Sequence, residues 1–376
     1  MPDSRLEEIA REFVVTPGAA PAAVVAVASH GDLGLRTASG AAFAPGGFEA
    51  SPSSYFDLAS VTKPFLATTV ARLSRCGRLS LEMPLGDLLS EARGTETGTL
   101  PLELFLAHRA GLEAHRTLFS PLVMEAPFER RAAILEAVQA RRAECRGGAP
   151  AEGYPPLYSD LGYALVGLAL ERLEELPLDQ IVDREVCLPL SLDVGSARML
   201  RARHANFAER CAATETMPFR GGVVHGIVHD ENAWALSGHA LSGHAGLFGT
   251  AESVARFGAA LLDAVHGRSE AWLSRSGVAP LLRERPGGTL RAGFDGKSDT
   301  GSSAGAAAGP RSFGHLGFTG TSLWCDPDAD RAVVLLSNRV CPTRLNTRIR
   351  AARPAVHDAL FGERDSGFAP NLAALL

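Results

Sequence analysis

The sequence predicts an α+β protein in which a mixed α/β lobe, built from both ends of the chain, brackets a mostly helical lobe. Three observations carry that expectation. Strand candidates rich in apolar and β-branched residues lie near both ends, at Ala23–Ala28 and Ala332–Ser337. Helical patterns fill most of residues 60–215. From residue 221 the texture changes to glycine, histidine and short apolar runs. Such an order is not that of an alternating βαβ sheet. The 376 residues are read as one unit over 1–376, with the α/β lobe about 1–59 and 221–376 and the helical lobe about 60–220.

Each element has a local reason. Residues 4–14 read as an amphipathic helix with Leu6, Ile9, Ala10 and Phe13 on one face. Ala23–Ala28, the turn His30-Gly31-Asp32 and then Leu33–Thr37 read as a β-hairpin, followed by a Gly- and Pro-rich loop over 39–54. A helix starts near Ser60 and runs to Leu73. Pro64 lacks an N–H and clashes with the carbonyl four residues back, so it is tolerated only near the first turn and pins Ser60 to the helix mouth. Further helices are expected at Pro84–Leu89, Pro101–Ala107, Phe128–Ala143, Leu161–Leu173, Leu178–Val186 and Ala251–Val265. Residues 286–312 form a loop rich in Gly, Ala and Ser. Strands at Ser312–Trp324 and Ala332–Ser337, joined by the turn Asp326–Asp330, precede a last helix over roughly 343–360.

Composition narrows the function classes. A net charge of −5 and a pI near 6.1 give no electrostatic footprint for nucleic acid. No apolar run is long enough to span a membrane. Met1-Pro2-Asp3-Ser4-Arg5 is not a signal-peptide n-region, and the apolar stretch Ala19–Ser29 sits behind an acidic amphipathic segment, so a cytoplasmic location is expected. Six cysteines form no C-x-x-C pair and read as reduced thiols.

The chemistry concentrates in three segments. Ser60 lies at a helix mouth, where free N–H groups favour developing negative charge, and Lys63 is one turn on along the same face. A desolvated lysine can serve as the base that a serine nucleophile needs. The chain has only two lysines, Lys63 and Lys297, against thirty-five arginines. Lys63 therefore stands where a guanidinium, which cannot give up its proton, would be useless for that work. The second segment is Leu157-Tyr158-Ser159-Asp160, before an apolar helix. Tyr158 can relay a proton and Asp160 can hold the Lys63 ammonium; alternatively Ser159 or Asp160 simply caps the helix. The third is Phe313-Gly314-His315-Leu316-Gly317-Phe318, whose glycines mark close approach of backbone or ligand, or a bulge at a sheet edge.

Together these segments resemble the serine β-lactamase and penicillin-binding-protein superfamily, most of all its class C-type branch with DD-peptidases and esterases. That family carries S-x-x-K, Y-x-N and K-T-G or H-x-G in this order, and Ser60–Lys63, Tyr158–Asp160 and His315–Gly317 are the counterparts. Leu106–Leu112 is similar to its L-x-H-x-x-G-L stretch, and His244–Ala251 to its A-G-G-L-x-S-T-A stretch. The resemblance implies an antiparallel sheet flanked by helices beside a helical lobe. It also implies an acyl-enzyme on Ser60, acid–base work shared by Lys63 and Tyr158, and an oxyanion hole from the Ser60 and Phe318 amides. Asp160, His315, Leu316 and Gly317 would line the substrate site.

Two departures stand out. Asp160 replaces the usual Asn and should hold Lys63 protonated, shifting the base role toward Tyr158. His315-Leu316 replaces Lys-Thr and loses the charge and hydroxyl that bind a substrate carboxylate. Arg339, after the last strand, is the candidate to supply that charge instead. The expected substrate is a small ester, amide or peptide, with no cofactor, metal or nucleic-acid partner.

Rival readings remain. Gly301-Ser302-Ser303-Ala304-Gly305 fits the G-x-S-x-G elbow, which needs a strand before it and a helix after it. His225, His229, His239 and His244, with Asp230 and Glu231, would suit a metal-dependent hydrolase, although His244 reads better as a cleft residue or a loop-bracing one. A catalytically silent, penicillin-binding-like binding or regulatory module would keep the shape without the chemistry.

Overall fold

The computed structural model describes residues 4–29, 38–40 and 49–362. Its helices are α1 (Ser4–Ala10), α2 (Thr62–Arg75), α3 (Leu85–Leu88), α4 (Leu102–Leu106), α5 (Ser120–Val123), α6 (Arg130–Gln139) and α7 (Asp160–Glu174). They continue with α8 (Leu178–Val182), α9 (Ala197–Arg203), α10 (Glu231–Ser237), α11 (Ala251–His266), α12 (Arg275–Leu282) and α13 (Ile349–Gly362). Short strands β3 (Phe56–Asp57), β4 (Val194–Ser196) and β7 (Leu247–Gly249) form one sheet, and β5 (Thr216–Met217) pairs with β6 (Gly222–Val223).

The main sheet runs β2 (Ala38–Gly40), β1 (Ala23–Ser29), β11 (Arg331–Ser337), β10 (Ser322–Asp326), β9 (Phe313–Leu316), β8 (Asp295–Gly296), all neighbours antiparallel. The fold is α+β, with strands from both ends of the chain meeting at its centre: Ala23 faces Ser337 and Ser29 faces Arg331. The period of two in these strands feeds two cores. Val24, Ala26, Val334 and Leu336 face the larger one, shared with α2 and α11, while Val25, Val333 and Leu335 face a smaller one under α1 and α13. At Gly258 in α11 an added Cβ would stand 2.7 Å from the Ala332 Cβ, so the helix lies directly on the sheet.

Several expectations need correction. The stretch 312–324 is two strands, because Gly317–Thr321 turns between β9 and β10, closed by Gly317 N–H to Thr321 O at 2.8 Å. Gly320 has φ +111, a conformation that only glycine adopts readily there. The last helix begins at Ile349, not near 343. Residues 38–40, placed mostly in a loop, form β2, whereas the hairpin turn His30–Asp32 and the segment Leu33–Thr37 fall outside the described residues. No described helix is long and apolar enough to cross a membrane.

Candidate active site

Ser60 sits in a single 3₁₀ turn, Ala59–Val61, between β3 and α2. Ala59 has φ +47, a left-handed conformation that costs an L-residue on the order of 1–3 kcal/mol. Asp57 holds that turn: one carboxylate oxygen accepts Ala59 N–H at 2.8 Å and the other accepts His229 N–H at 2.7 Å. Burial pushes the Asp57 carboxyl up, and the backbone N–H of His229 pulls it back.

α2 buries Lys63 completely. Its Nζ donates to Ser60 Oγ at 2.9 Å, to Asp160 Oδ1 at 2.7 Å and to the His244 carbonyl at 3.2 Å, which uses all three ammonium protons. Burial works against the charge, but Asp160 and Tyr158 outweigh it, and the Lys63 pKa is raised. Asp160 thus keeps the proton on Lys63.

The helix cap at α7 falls to Ser159, whose Oγ accepts Gly162 N–H, and this leaves the Asp160 carboxylate to Lys63. Tyr158 lies with its ring 4.8 Å from Lys63 Nζ. Burial raises the Tyr158 pKa more than the Lys63 charge lowers it, so the phenol holds its proton too. Both candidate bases therefore rest protonated. A residue the motif reading left without a role stands behind Tyr158. His108, buried and at φ +60, stacks under Tyr158 at 4.5 Å and accepts Ser159 N–H on Nδ1 at 3.0 Å. Burial, with the Lys63 charge, holds His108 well below the usual imidazole range, hence neutral. Its only signal in the sequence was the Leu106–Leu112 stretch.

Across the cleft, His315 on β9 lies 5.9 Å from the Tyr158 ring. Its Nδ1–H donates to the Leu316 carbonyl at 2.8 Å, and burial, then Lys63, lowers its pKa to about 3. Leu316 does not extend this surface; it packs half-buried against the smaller core. An added Cβ on Gly317 would meet Leu58 O at 2.6 Å, so the β9 turn lies directly on the Ser60 turn. Around that junction Ala59 N–H goes to Asp57, Val61 N–H to Leu58 O and Gly317 N–H to Thr321 O. The amides between them, Ser60 and Phe318, are outside these bonds.

Arg339 is not poised to swing toward a substrate. Its Nε donates to the Phe318 carbonyl at 2.7 Å, its Nη1 to the carbonyls of Arg344 and Asn346, and its guanidinium stacks on the Phe318 ring at 4.3 Å. Arg353 of α13 likewise donates to the Gly317 and Thr321 carbonyls. Burial lowers its pKa to about 9. Both arginines brace the strand turn.

The four histidines do not converge. His244 Nε2 meets Asp230 Oδ1 at 2.8 Å, His229 Nε2 meets Glu215 at 2.9 Å, and His225 Nε2 meets the Cys211 carbonyl at 2.8 Å. Burial opposes the Asp230 charge, but His244 overcomes it and holds the carboxyl well below its usual range. His244 therefore braces the loop whose carbonyl receives Lys63. Among the described residues no group of three or more His, Cys, Asp or Glu is placed to hold a metal. Ser303 lies in a turn between β8 and β9, and its carbonyl meets His357 Nδ1 at 2.6 Å, without the strand and helix that a G-x-S-x-G elbow requires.

A family model described as Beta-lactamase matches residues 7–357. A putative D-alanyl-D-alanine carboxypeptidase of Salmonella agona is 31% identical over 201 residues, 50% of this chain and 46% of that protein. The chain thus spans about half the length of the curated relatives it matches. Among solved structures, a class C β-lactamase from Rhodobacter sphaeroides superposes with a TM-score of 0.67 at 19% identity, covering 95% of this chain and 99% of that one. EstCE1, described as a hydrolase with promiscuous acyltransferase activity, gives 0.68 at 19% identity, covering 93% and 98%.

Proposed function

This chain belongs to the β-lactamase family, and from that premise we propose that it is a serine acyl hydrolase, one catalytic unit acting through an acyl-enzyme on a small ester or amide. The observation that carries the reading is the 2.9 Å contact between Ser60 Oγ and the Nζ of a fully buried Lys63. Ser60 Oγ attacks the carbonyl carbon and its proton passes to Lys63 in the amine form, while the carbonyl oxygen takes up negative charge between the Ser60 and Phe318 amides. The bond to the leaving group then breaks, with Tyr158 and Lys63 returning the proton to the departing oxygen or nitrogen. Water attacks the acyl carbon by the same route, releases the acid and restores Ser60. Because Asp160 favours the ammonium, the active amine form of Lys63 grows as pH rises.

The site supports neutral substrates over those that present a carboxylate. His315 is uncharged at neutral pH, Leu316 has no hydroxyl and packs into a core, and Arg339 is spent on backbone carbonyls. An esterase-like activity fits these facts better than the DD-carboxypeptidase activity that the Salmonella relatives' names would offer. All six cysteines are free thiols, which supports work in the cytoplasm.

Fluorophosphonate treatment followed by peptide mass spectrometry is expected to place the adduct on Ser60. An adduct on Ser303 would move the nucleophile elsewhere, and no adduct would favour a catalytically silent binding module.

A further inference from the structure

The Ser60 and Phe318 amides belong to chain segments that no sheet unites. The Ser60 turn follows β3, which pairs with β7, whereas the Gly317–Thr321 turn joins β9 to β10 in the main sheet. Among the described residues no backbone hydrogen bond runs between these two turns. Two side-chain hydroxyls join them instead. Thr319 Oγ1 donates to the Asp57 carbonyl at 2.7 Å, and Thr321 Oγ1 donates to the Leu58 carbonyl at 2.9 Å. Both threonines are buried, where a hydrogen bond is stronger than in water. Thr319 follows Phe318 directly, and the accepting carbonyls lead straight into Ala59 and Ser60.

Each turn is braced from its own side. Asp57 is anchored by Ala59 N–H and His229 N–H on its two carboxylate oxygens. On the strand turn, Arg339 N–H donates to the Thr319 carbonyl at 2.8 Å and Ser337 Oγ to the Gly320 carbonyl at 3.0 Å. Arg353 holds the Gly317 and Thr321 carbonyls. An added Cβ on Gly317 would fall on Thr321 Oγ1, so a glycine at 317 is what admits that hydroxyl to the Leu58 carbonyl. The two hydroxyls are thus the polar links that fix one braced turn against the other.

We propose that Thr319 and Thr321 are positioning residues: their hydroxyls clasp the strand turn to the Ser60 turn and so set the separation of the Ser60 and Phe318 amides. The inference rests on the acyl-enzyme reading of Ser60, in which those amides receive the negative oxygen. Both hydroxyls are occupied by backbone carbonyls and act on the reaction only through the placement of two N–H donors. Their effect is therefore felt once charge develops on that oxygen.

The test compares kcat/KM for p-nitrophenyl acetate and for its thiono analogue, in which sulfur replaces the carbonyl oxygen and accepts a hydrogen bond poorly. The wild type is expected to favour the oxygen ester beyond the ratio set by hydroxide in buffer. Thr319→Val and Thr321→Val should lose about 10- to 100-fold on the oxygen ester and much less on the thiono ester. Thr319→Ser and Thr321→Ser, which keep the hydroxyl, should restore the ratio. A variant that is partly unfolded loses the same factor on both esters, so its ratio does not move. Thr321→Val is the milder change, because the Leu58 carbonyl still accepts Val61 N–H at 3.0 Å. Ser60 labelling by a fluorophosphonate, taken to completion, is measured in parallel. A wild type labelled on Ser60 without an oxygen preference overturns the clasp, as do valine variants that keep the wild-type ratio. Either result leaves the acyl-enzyme standing. Neither turnover nor a Ser60 label overturns the acyl-enzyme reading and the clasp with it.

Discussion

On the helical side of the cleft, Lys63, Asp160 and Tyr158 form a buried cluster in which the ammonium is held by three acceptors. The strand side presents a neutral His315 and an exposed Phe318, with Arg339 and Arg353 turned into backbone carbonyls. On the proposed function, one wall moves a proton and the other presents carbon. The difference teaches that, on that reading, the two tasks are separable: reaction chemistry is assigned to S-x-x-K and Tyr158, and selectivity to what faces them. Each wall therefore has its own diagnostic substitution.

The largest effect is expected on the proton-moving wall. Lys63→Arg keeps a positive charge but cannot exchange a proton at neutral pH, so it should be nearly as damaging as Lys63→Ala. A fall of about 10²–10⁴-fold in kcat is expected. An Arg variant retaining most of its turnover would reduce Lys63 to an electrostatic anchor.

Asp160→Asn sharpens the same wall through pH. Asp160 raises the Lys63 pKa, so its stabilising effect is complete below the ordinary lysine value of about 10.4 and fades as pH rises through the raised folded-state value. Removing it should cost about 1.5–3 kcal/mol of unfolding free energy near pH 7, a difference that shrinks at strongly alkaline pH. Burial then meets less opposition and the Lys63 pKa falls, so the rising limb of kcat/KM against pH should move to lower pH. A limb that stays in place would show that Asp160 is not what keeps the proton on Lys63.

The smallest effect is expected on the carbon-presenting wall. Arg339→Ala removes the donor to the Phe318 carbonyl and should cost about 2–10-fold, equally for a short p-nitrophenyl ester and for nitrocefin. A loss confined to nitrocefin would show that Arg339 binds a carboxylate after all and would erase the contrast between the walls.

Much of the fold and of the site was legible in the sequence, for identifiable reasons. Ser60, Lys63, Tyr158 and His315, which the structure brings together, were singled out because short motifs in a fixed order carry them. α2 and α11 announced themselves by length and periodicity, and the sheet strands by β-branched runs. Asp57 was invisible, because a carboxylate that accepts two backbone N–H groups has no pattern apart from its fold. The bonds of Arg339 were invisible for a related reason: its partners are carbonyls, which every residue carries. The β9–β10 turn was missed because Gly317–Thr321 interrupts a run of strand-compatible residues without a proline or an Asn-Gly signal. Short elements such as β4 and α9 owe their existence to packing, not to local periodicity.

The pairing of β1 with β11 has a consequence for the way the molecule is made. The strand Ala23–Ser29 finds its main partner only in Arg331–Ser337, roughly 300 residues later, and at about 5–20 residues per second a ribosome needs on the order of 15–60 s to deliver it. Throughout that interval the uncharged apolar strand Ala-Val-Val-Ala-Val-Ala, paired on one side only with the short β2, keeps its other edge open to pairing with any other chain. The β9 turn must wait longer still, because its carbonyls are held by Arg353 on α13. A nascent chain therefore carries Ser60 for most of its synthesis with no finished cleft around it, and its reliance on chaperones is greatest while β1 is waiting.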